Sequence, residues 1–211
     1  MKIVAFDMDG TLIAESSWEL LHSYFQADPS QVRRNQQEYF SHEIDYMTWM
    51  QKDIDLWDCP SGKTLETALS SYTLEPYARE TVSSLQEEGI IPCIISSGVD
   101  ILAKILGTHL GIRKDFIFAN ELMYCHGTLK GVCHVDPFSK DTILHSLSQR
   151  MDIPSSDIAA VGDAAPDISL FRAASLTFAY NPKDTIIADA ADYVIDDLRT
   201  VLSIIQPHTN K

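Results

Sequence analysis

Short apolar runs alternate with longer amphipathic stretches at the start of the chain and again after residue 74. Lys2–Phe6 reads as a buried strand that ends in a polar turn at Asp7. The stretch 76–88 reads as a helix, with proline near its start and Gly89 as its stop. Ile90–Ile95 is strand-like, and 99–110 is helical and closed by Gly111. Strands are expected at 115–119, 158–161, 176–180 and 193–195, with helices at 141–151, 166–174, 184–191 and 197–205. Repeated strand–helix units whose strands are apolar throughout predict an α/β protein, a parallel sheet covered by helices on both faces.

Residues 15–73 break that rhythm: they carry helical periodicity and no convincing strand. Aromatic side chains gather there, among them Trp18, Tyr24, Phe25, Tyr39, Phe40, Tyr46, Trp49 and Trp57. Asp28-Pro29-Ser30 and Cys59-Pro60-Ser61-Gly62 divide the stretch into three or four helices. The simplest account is a helical insert after the first strand, with residues 1–14 and 74–211 forming the sheet domain. The tail from Gln206 is expected to fray.

Charge and composition narrow the function. Lys and Arg total 16 against 30 Asp and Glu, a net charge of −14. Such a chain repels phosphate backbones, which argues against nucleic acid as a partner. A small phosphorylated substrate remains compatible, because a local cation can meet it. No apolar run reaches the ~20 residues of a membrane span, and the first ten residues carry a lysine and two aspartates, unlike a signal peptide. Cys59, Cys93, Cys125 and Cys133 contain no CxxC pair and read as reduced thiols. A cytoplasmic protein is expected.

The candidate chemistry lies where the predicted strands end, the edge at which open α/β sheets collect ligands. Asp7-Met8-Asp9-Gly10-Thr11 follows the first strand and Ser96-Ser97-Gly98 the second. Lys140 opens a helix, and Gly162-Asp163-Ala164-Ala165-Pro166-Asp167 follows a later strand. Asp7 and Asp9 are two residues apart, so both can be aimed at one substrate. Clustered carboxylates repel one another, by ~4 kcal/mol per close pair at an effective dielectric of 20, unless a dication sits among them. Hard oxygen ligands point to Mg²⁺. Lys140 and the Ser96 hydroxyl offer what a phosphoryl group needs, a point charge and a donor. One carboxylate as nucleophile and one as acid and base describe catalysis through an aspartyl-phosphate.

These four segments, in this order, resemble the haloacid-dehalogenase-like phosphohydrolases, and within them the phosphoserine-phosphatase-like branch with a small helical cap. Phe6–Leu12, Ile94–Gly98, Lys140 and Gly162–Asp167 match its four motifs, and the resemblance also takes in Phe118-Ala119-Asn120 and a hairpin from Gly127 to Gly131. It implies Asp7 as nucleophile and Asp9 as general acid and base. It implies Mg²⁺ held by Asp7, the Asp9 backbone carbonyl and Asp163, with Asp167 supporting the metal site. Ser96 and Lys140 would bind phosphate, beside Ser97 and Gly98. The fold implied is a Rossmann-like core with residues 15–73 as the cap.

The chain departs from the branch in four places. Ser97 and Pro166 differ from the usual motif residues, and proline is expected to be tolerated in a first helical turn. Phosphoserine phosphatases hold their substrate with a cap glutamate and a cap arginine; here those positions fall on Ser16, with Glu15 beside it, and on Asp53. Tyr46, Met50, Asp53 and Trp57 share one helical face, so Asp53 is either a helix-rim residue reaching solvent or a pocket acid. A pocket acid cannot pair with a substrate carboxylate, which makes phosphoserine a poor fit beside a neutral, apolar or cationic phosphomonoester. Two rival readings share this acidic site: a receiver-like signalling module and a non-hydrolytic binding protein. A dehalogenase has no use for Asp9, and Cys125-His126 with Cys133-His134 match no usual zinc spacing.

Overall fold

The computed structural model describes residues 1–58 and 61–206. Cys59, Pro60 and the tail from 207, on which parts of the expected punctuation and fraying fall, lie outside the described residues. Seven strands form one sheet: β1 (Ile3–Phe6), β2 (Ile91–Val99), β3 (Ile117–Cys125), β4 (Thr128–Val132), β5 (Ile158–Gly162), β6 (Leu176–Tyr180) and β7 (Tyr193–Ile195). Their order is β4-β3-β2-β1-β5-β6-β7, parallel except for the β3–β4 hairpin. All four residues of β1 are fully buried, as a central strand flanked on both edges by β2 and β5 requires. The connections leave β1 in opposite directions on its two sides, so its carboxyl end is the topological switch point where such sheets bind ligands.

Four helices separate β1 from the rest of the sheet: α1 (Ser17–Tyr24), α2 (Pro29–Phe40), α3 (Tyr46–Ile54) and α4 (Gly62–Leu69). Local sequence sets their starts. Asp28, Asp45 and Ser61 accept hydrogen bonds from the backbone N–H of Ser30, Thr48 and Thr64, and Pro29 occupies the first turn of α2. The two ends of this insert meet: Ile13 bridges to Leu74, Ala14 N–H bonds Thr73 carbonyl, and Glu15 accepts from Thr73 N–H (2.8 Å) and Thr73 Oγ1 (2.7 Å). Glu15 therefore ties the two connecting segments together. It is not spare to serve in place of Ser16.

The remaining helices are α5 (Ala78–Glu87), α6 (Asp100–Leu110), α7 (Lys140–Met151), α8 (Ile168–Phe171), α9 (Thr185–Ala190) and α10 (Arg199–Ile205). Three expectations shift. β2 runs on through Ser96-Ser97-Gly98, and the strand expected at 115–119 starts at Ile117 after a 3-10 turn and extends to Cys125. The expected helix at 166–174 is a 3-10 turn, Ala165–Asp167, followed by the single turn of α8, because Asp167 turns its side chain back onto the preceding backbone. A hairpin forms, but its turn is the two residues His126-Gly127, both at positive φ, with Cys125 paired to Thr128; the residues expected in the turn, Thr128 to Gly131, belong to β4.

Candidate active site

Asp7 stands one residue beyond β1, its backbone N–H bonded to the Val161 carbonyl of β5. Gly10 follows at φ +85°, where a Cβ would lie 2.2 Å from Asp163 Oδ2; only glycine fits between the two acidic segments. Asp7, Asp163 and Asp167 bring one carboxylate oxygen each within 4.8 Å of one another, all three buried. The ammonium of Lys140, 2% exposed at the start of α7, donates to Asp7 Oδ1 and Asp167 Oδ1, both at 2.6 Å. Its backbone N–H donates in turn to Ser169 Oγ, 3.1 Å.

Each carboxylate has a distinct setting. Asp167 is fully engaged: Oδ1 takes Lys140, and Oδ2 accepts from the N–H groups of Asp163 (3.0 Å) and Ala164 (3.2 Å). Asp163 Oδ1 accepts from Thr11 Oγ1 at 3.3 Å. Its Oδ2 lies 2.7 Å from Lys183 Nζ, an ion pair that is not aligned as a hydrogen bond, so this buried oxygen accepts none. Asp9 lies outside the cluster of three. Its Oδ2 accepts from Ser17 N–H (2.9 Å) and Ser17 Oγ (2.7 Å), and its Oδ1 is buried with no hydrogen-bond partner.

Burial first, and then repulsion from Asp167, holds the Asp7 carboxyl well above its usual range, with Lys140 opposing. Burial lifts Asp9 to about 6 against the lowering effect of the two Ser17 bonds. Burial and Asp167 raise Asp163, with Lys183 opposing. Burial would lower Lys140, but Asp167 and Asp7 outweigh it and keep the ammonium charged. With all four carboxylates ionised, two ammoniums leave two negative charges, which one dication balances. With three buried carboxylate oxygens within 4.8 Å of one another and an all-oxygen donor set, the residues fit a hard divalent cation.

The β2 end completes the site. Ser96 is buried and its Oγ accepts from Gly98 N–H (3.0 Å), which leaves its hydroxyl hydrogen for another acceptor. The Ser97 carbonyl accepts from three side chains: Tyr46 Oη (2.8 Å), Asn120 Nδ2 (2.9 Å) and Trp18 Nε1 (3.3 Å). Two of those donors belong to α1 and α3, so the helical insert is hydrogen-bonded to the sheet at this point. Gly98 was expected to touch substrate. A Cβ there would meet Ser17 Oγ at 2.5 Å and Asp9 Oδ2 at 2.8 Å, so its visible task is to let that pair approach β2.

A cavity of about 510 Å³ opens between insert and sheet, and Ser16, Ser97 and Asp53 line it. Asp53 is 4% exposed, which removes the solvent-reaching alternative. Its Oδ1 accepts from Asn35 Nδ2 (2.8 Å), and its Oδ2 lies 3.4 Å from His22 Nε2. Sequence reasoning missed Ser17, Lys183, Thr11 and Asn35. The pattern signalled Thr11 alone, as the last residue of Asp7–Thr11; the others reach the site through tertiary contacts.

A family model described as haloacid dehalogenase-like hydrolase matches residues 1–175. The chain belongs to the haloacid dehalogenase-like hydrolases. Its phosphoserine-phosphatase-like character extends over nearly its whole length. It is 29% identical to phosphoserine phosphatase of Methanocaldococcus jannaschii, over 97% of this chain and 98% of that one. It is also 29% identical to the Archaeoglobus fulgidus phosphoserine phosphatase, of which it spans 55%. Among solved structures, a substrate-bound phosphoserine phosphatase superposes with TM-score 0.82 at 27% identity, covering 96% of this chain and 97% of that one. A phosphoserine phosphatase captured as a phospho-aspartyl intermediate analogue gives TM-score 0.81 at 27% identity, over 96% and 98%. These relatives are hydrolases, which disfavours the receiver-like and non-hydrolytic readings. Among the described residues no helix is long and apolar enough to cross a membrane.

Proposed function

We propose that the chain is a Mg²⁺-dependent phosphomonoester hydrolase that acts on a small phosphorylated metabolite through an aspartyl-phosphate on Asp7. The observation that carries this reading is the division of labour between Asp7 and Asp9. Asp7 has one oxygen held by Lys140 and sits 5% exposed at the switch point, the position of a nucleophile. Asp9 has both Ser17 bonds on Oδ2, so a proton carried on Oδ1 is free to leave. With its carboxyl raised to about 6, Asp9 can hold that proton long enough to give it to a departing alkoxide.

Asp7 attacks phosphorus as Asp9 protonates the leaving oxygen, which gives an aspartyl-phosphate and a free alcohol. Asp9, now a carboxylate, takes a proton from water, which attacks the phosphorus and releases phosphate from Asp7. Lys140 orients Asp7 and, with the Ser96 hydroxyl, meets the phosphoryl oxygens. Asp7, the Asp9 carbonyl and Asp163 would hold Mg²⁺, whose part is to neutralise charge on the phosphoryl group. Asp167 orients Lys140 and the Asp163 backbone. Residues 1–14 and 74–211 serve as the catalytic core and 15–73 as the cap that shields the reaction from water. The reduced-thiol composition supports a cytoplasmic enzyme, and the charge of −14 supports one without a nucleic-acid partner. Turnover of para-nitrophenyl phosphate with Mg²⁺, and none after EDTA, is the test; hydrolysis undiminished by EDTA contradicts the metal role.

A further inference from the structure

The cavity beside the phosphoryl site has a wall chemistry that selects the other half of the substrate. Six aromatic side chains line it, Trp18, Tyr39, Phe40, Tyr46, Trp49 and Phe138, with Tyr39 and Trp49 stacked at 4.6 Å between ring centroids. Into these walls α3 sets one buried carboxylate, Asp53. A buried carboxylate is ordinarily matched by a cation, and this one is not. Asn35 is a neutral amide. His22 is neutral too: the Trp57 indole N–H can only donate, and it donates to His22 Nδ1 at 3.1 Å, so that nitrogen carries no proton and the ring's hydrogen is on Nε2, facing Asp53. Glu19 and Arg33, both exposed, also line the cavity and carry one charge of each sign.

We infer that the cavity takes an organic cation: the alcohol released by this enzyme carries a substituted ammonium group, held by aromatic faces and the Asp53 carboxylate. Aromatic rings attract such a cation through their negative faces, most strongly where water is excluded. The same charge repels a carboxylate, so phosphoserine satisfies only half of the pocket. The cavity reaches Ser97, Ser16 and Pro166, which places the cation beside the phosphoryl site within one molecule of substrate. This inference rests on the phosphomonoesterase reading above.

The test compares kcat/KM for phosphocholine and for 3,3-dimethylbutyl phosphate, its uncharged isostere, with para-nitrophenyl phosphate as a common reference. The intact protein should favour the cation by about tenfold or more. In Asp53→Asn that ratio should collapse to within about threefold, because the shape is kept and the charge is gone. A Trp49→Leu variant, which removes an aromatic face and keeps Asp53, should lower the ratio as well. Equal or better turnover of the isostere by the intact protein overturns the inference, whether or not either variant folds. An unchanged ratio in folded Asp53→Asn overturns the role of Asp53. Turnover of para-nitrophenyl phosphate with no charge preference sinks this inference alone, whereas failure to hydrolyse any phosphomonoester sinks the reading beneath it.

Discussion

At the scale of single residues, Asp9 shows how a buried carboxylate opposes stability. Its carboxyl is raised from 3.8 to about 6, chiefly by burial. Between those values the folded chain keeps a proton that the unfolded chain has released. Stability therefore falls as pH rises through that window, and the full loss, about 3 kcal/mol at ~1.36 kcal/mol per unit, is present above it. Asp9→Asn removes the ionisable group while keeping an acceptor for Ser17. In EDTA at pH 7.5 this variant should melt several degrees above the parent, with the gap narrowing toward pH 4, and it should lack phosphatase activity. An equal melting temperature at both pH values would count against burial as the cause. Asp9 and Asp7 were legible in the sequence because two carboxylates at i and i+2 after a buried strand have few structural uses. Asp167 was legible only as an acid. That both its oxygens are already committed depends on the backbone turn at Asp163-Ala164, which no side-chain pattern encodes.

At the scale of elements, the first residue of α1 links the helical insert to Asp9, the proposed general acid. Ser17 Oγ donates to Asp9 Oδ2 and accepts from Val99 N–H at 3.1 Å, so one hydroxyl joins α1, β2 and the Asp7–Thr11 turn. The Ser17 bonds lower the Asp9 pKa against burial. Ser17→Ala should therefore shift the alkaline limb of kcat, where the proton on Asp9 is lost, to higher pH. It should also reduce kcat by about tenfold, as expected when a positioned general acid is loosened, with Ser17→Thr restoring both. A fall in kcat with the limb unmoved would assign Ser17 a packing role alone. Tyr46→Phe tests the hold of α3 on the sheet. Losing one hydrogen bond of ~1 kcal/mol should raise KM by about fivefold with kcat little changed. The helices themselves were legible from capping residues and periodicity. Their docking was not, because a backbone carbonyl at Ser97 gathers its three donors from residues 18, 46 and 120, far apart in sequence.

At the scale of the whole molecule, an acidic chain of net charge −14 concentrates four carboxylates at one end of the sheet and, among the described residues, offsets them with Lys140 and Lys183. A divalent cation that binds this folded cluster and not the unfolded chain must stabilise the fold. Mg²⁺ at about 100 times its dissociation constant should add ~2.7 kcal/mol and raise the melting temperature by several degrees. Asp163→Asn should abolish that increment. Ca²⁺ should support little catalysis, because it takes more ligands at longer bonds and would displace Asp7. The alternation of strands and helices was readable in the sequence, and so was the run of helices that follows β1. The charge balance was not readable, since Lys183 lies in the loop after β6 with nothing in its spacing to mark it as a partner of Asp163. The central claim is a covalent phosphate on Asp7. The most direct measurement is acid quenching of a single turnover with radiolabelled phosphomonoester, followed by mapping of the protein-bound label. A transient, hydroxylamine-labile phosphate should appear on the peptide containing Asp7 and be absent from Asp7→Asn. Full hydrolysis with no label on protein, or label that survives in Asp7→Asn, would contradict it.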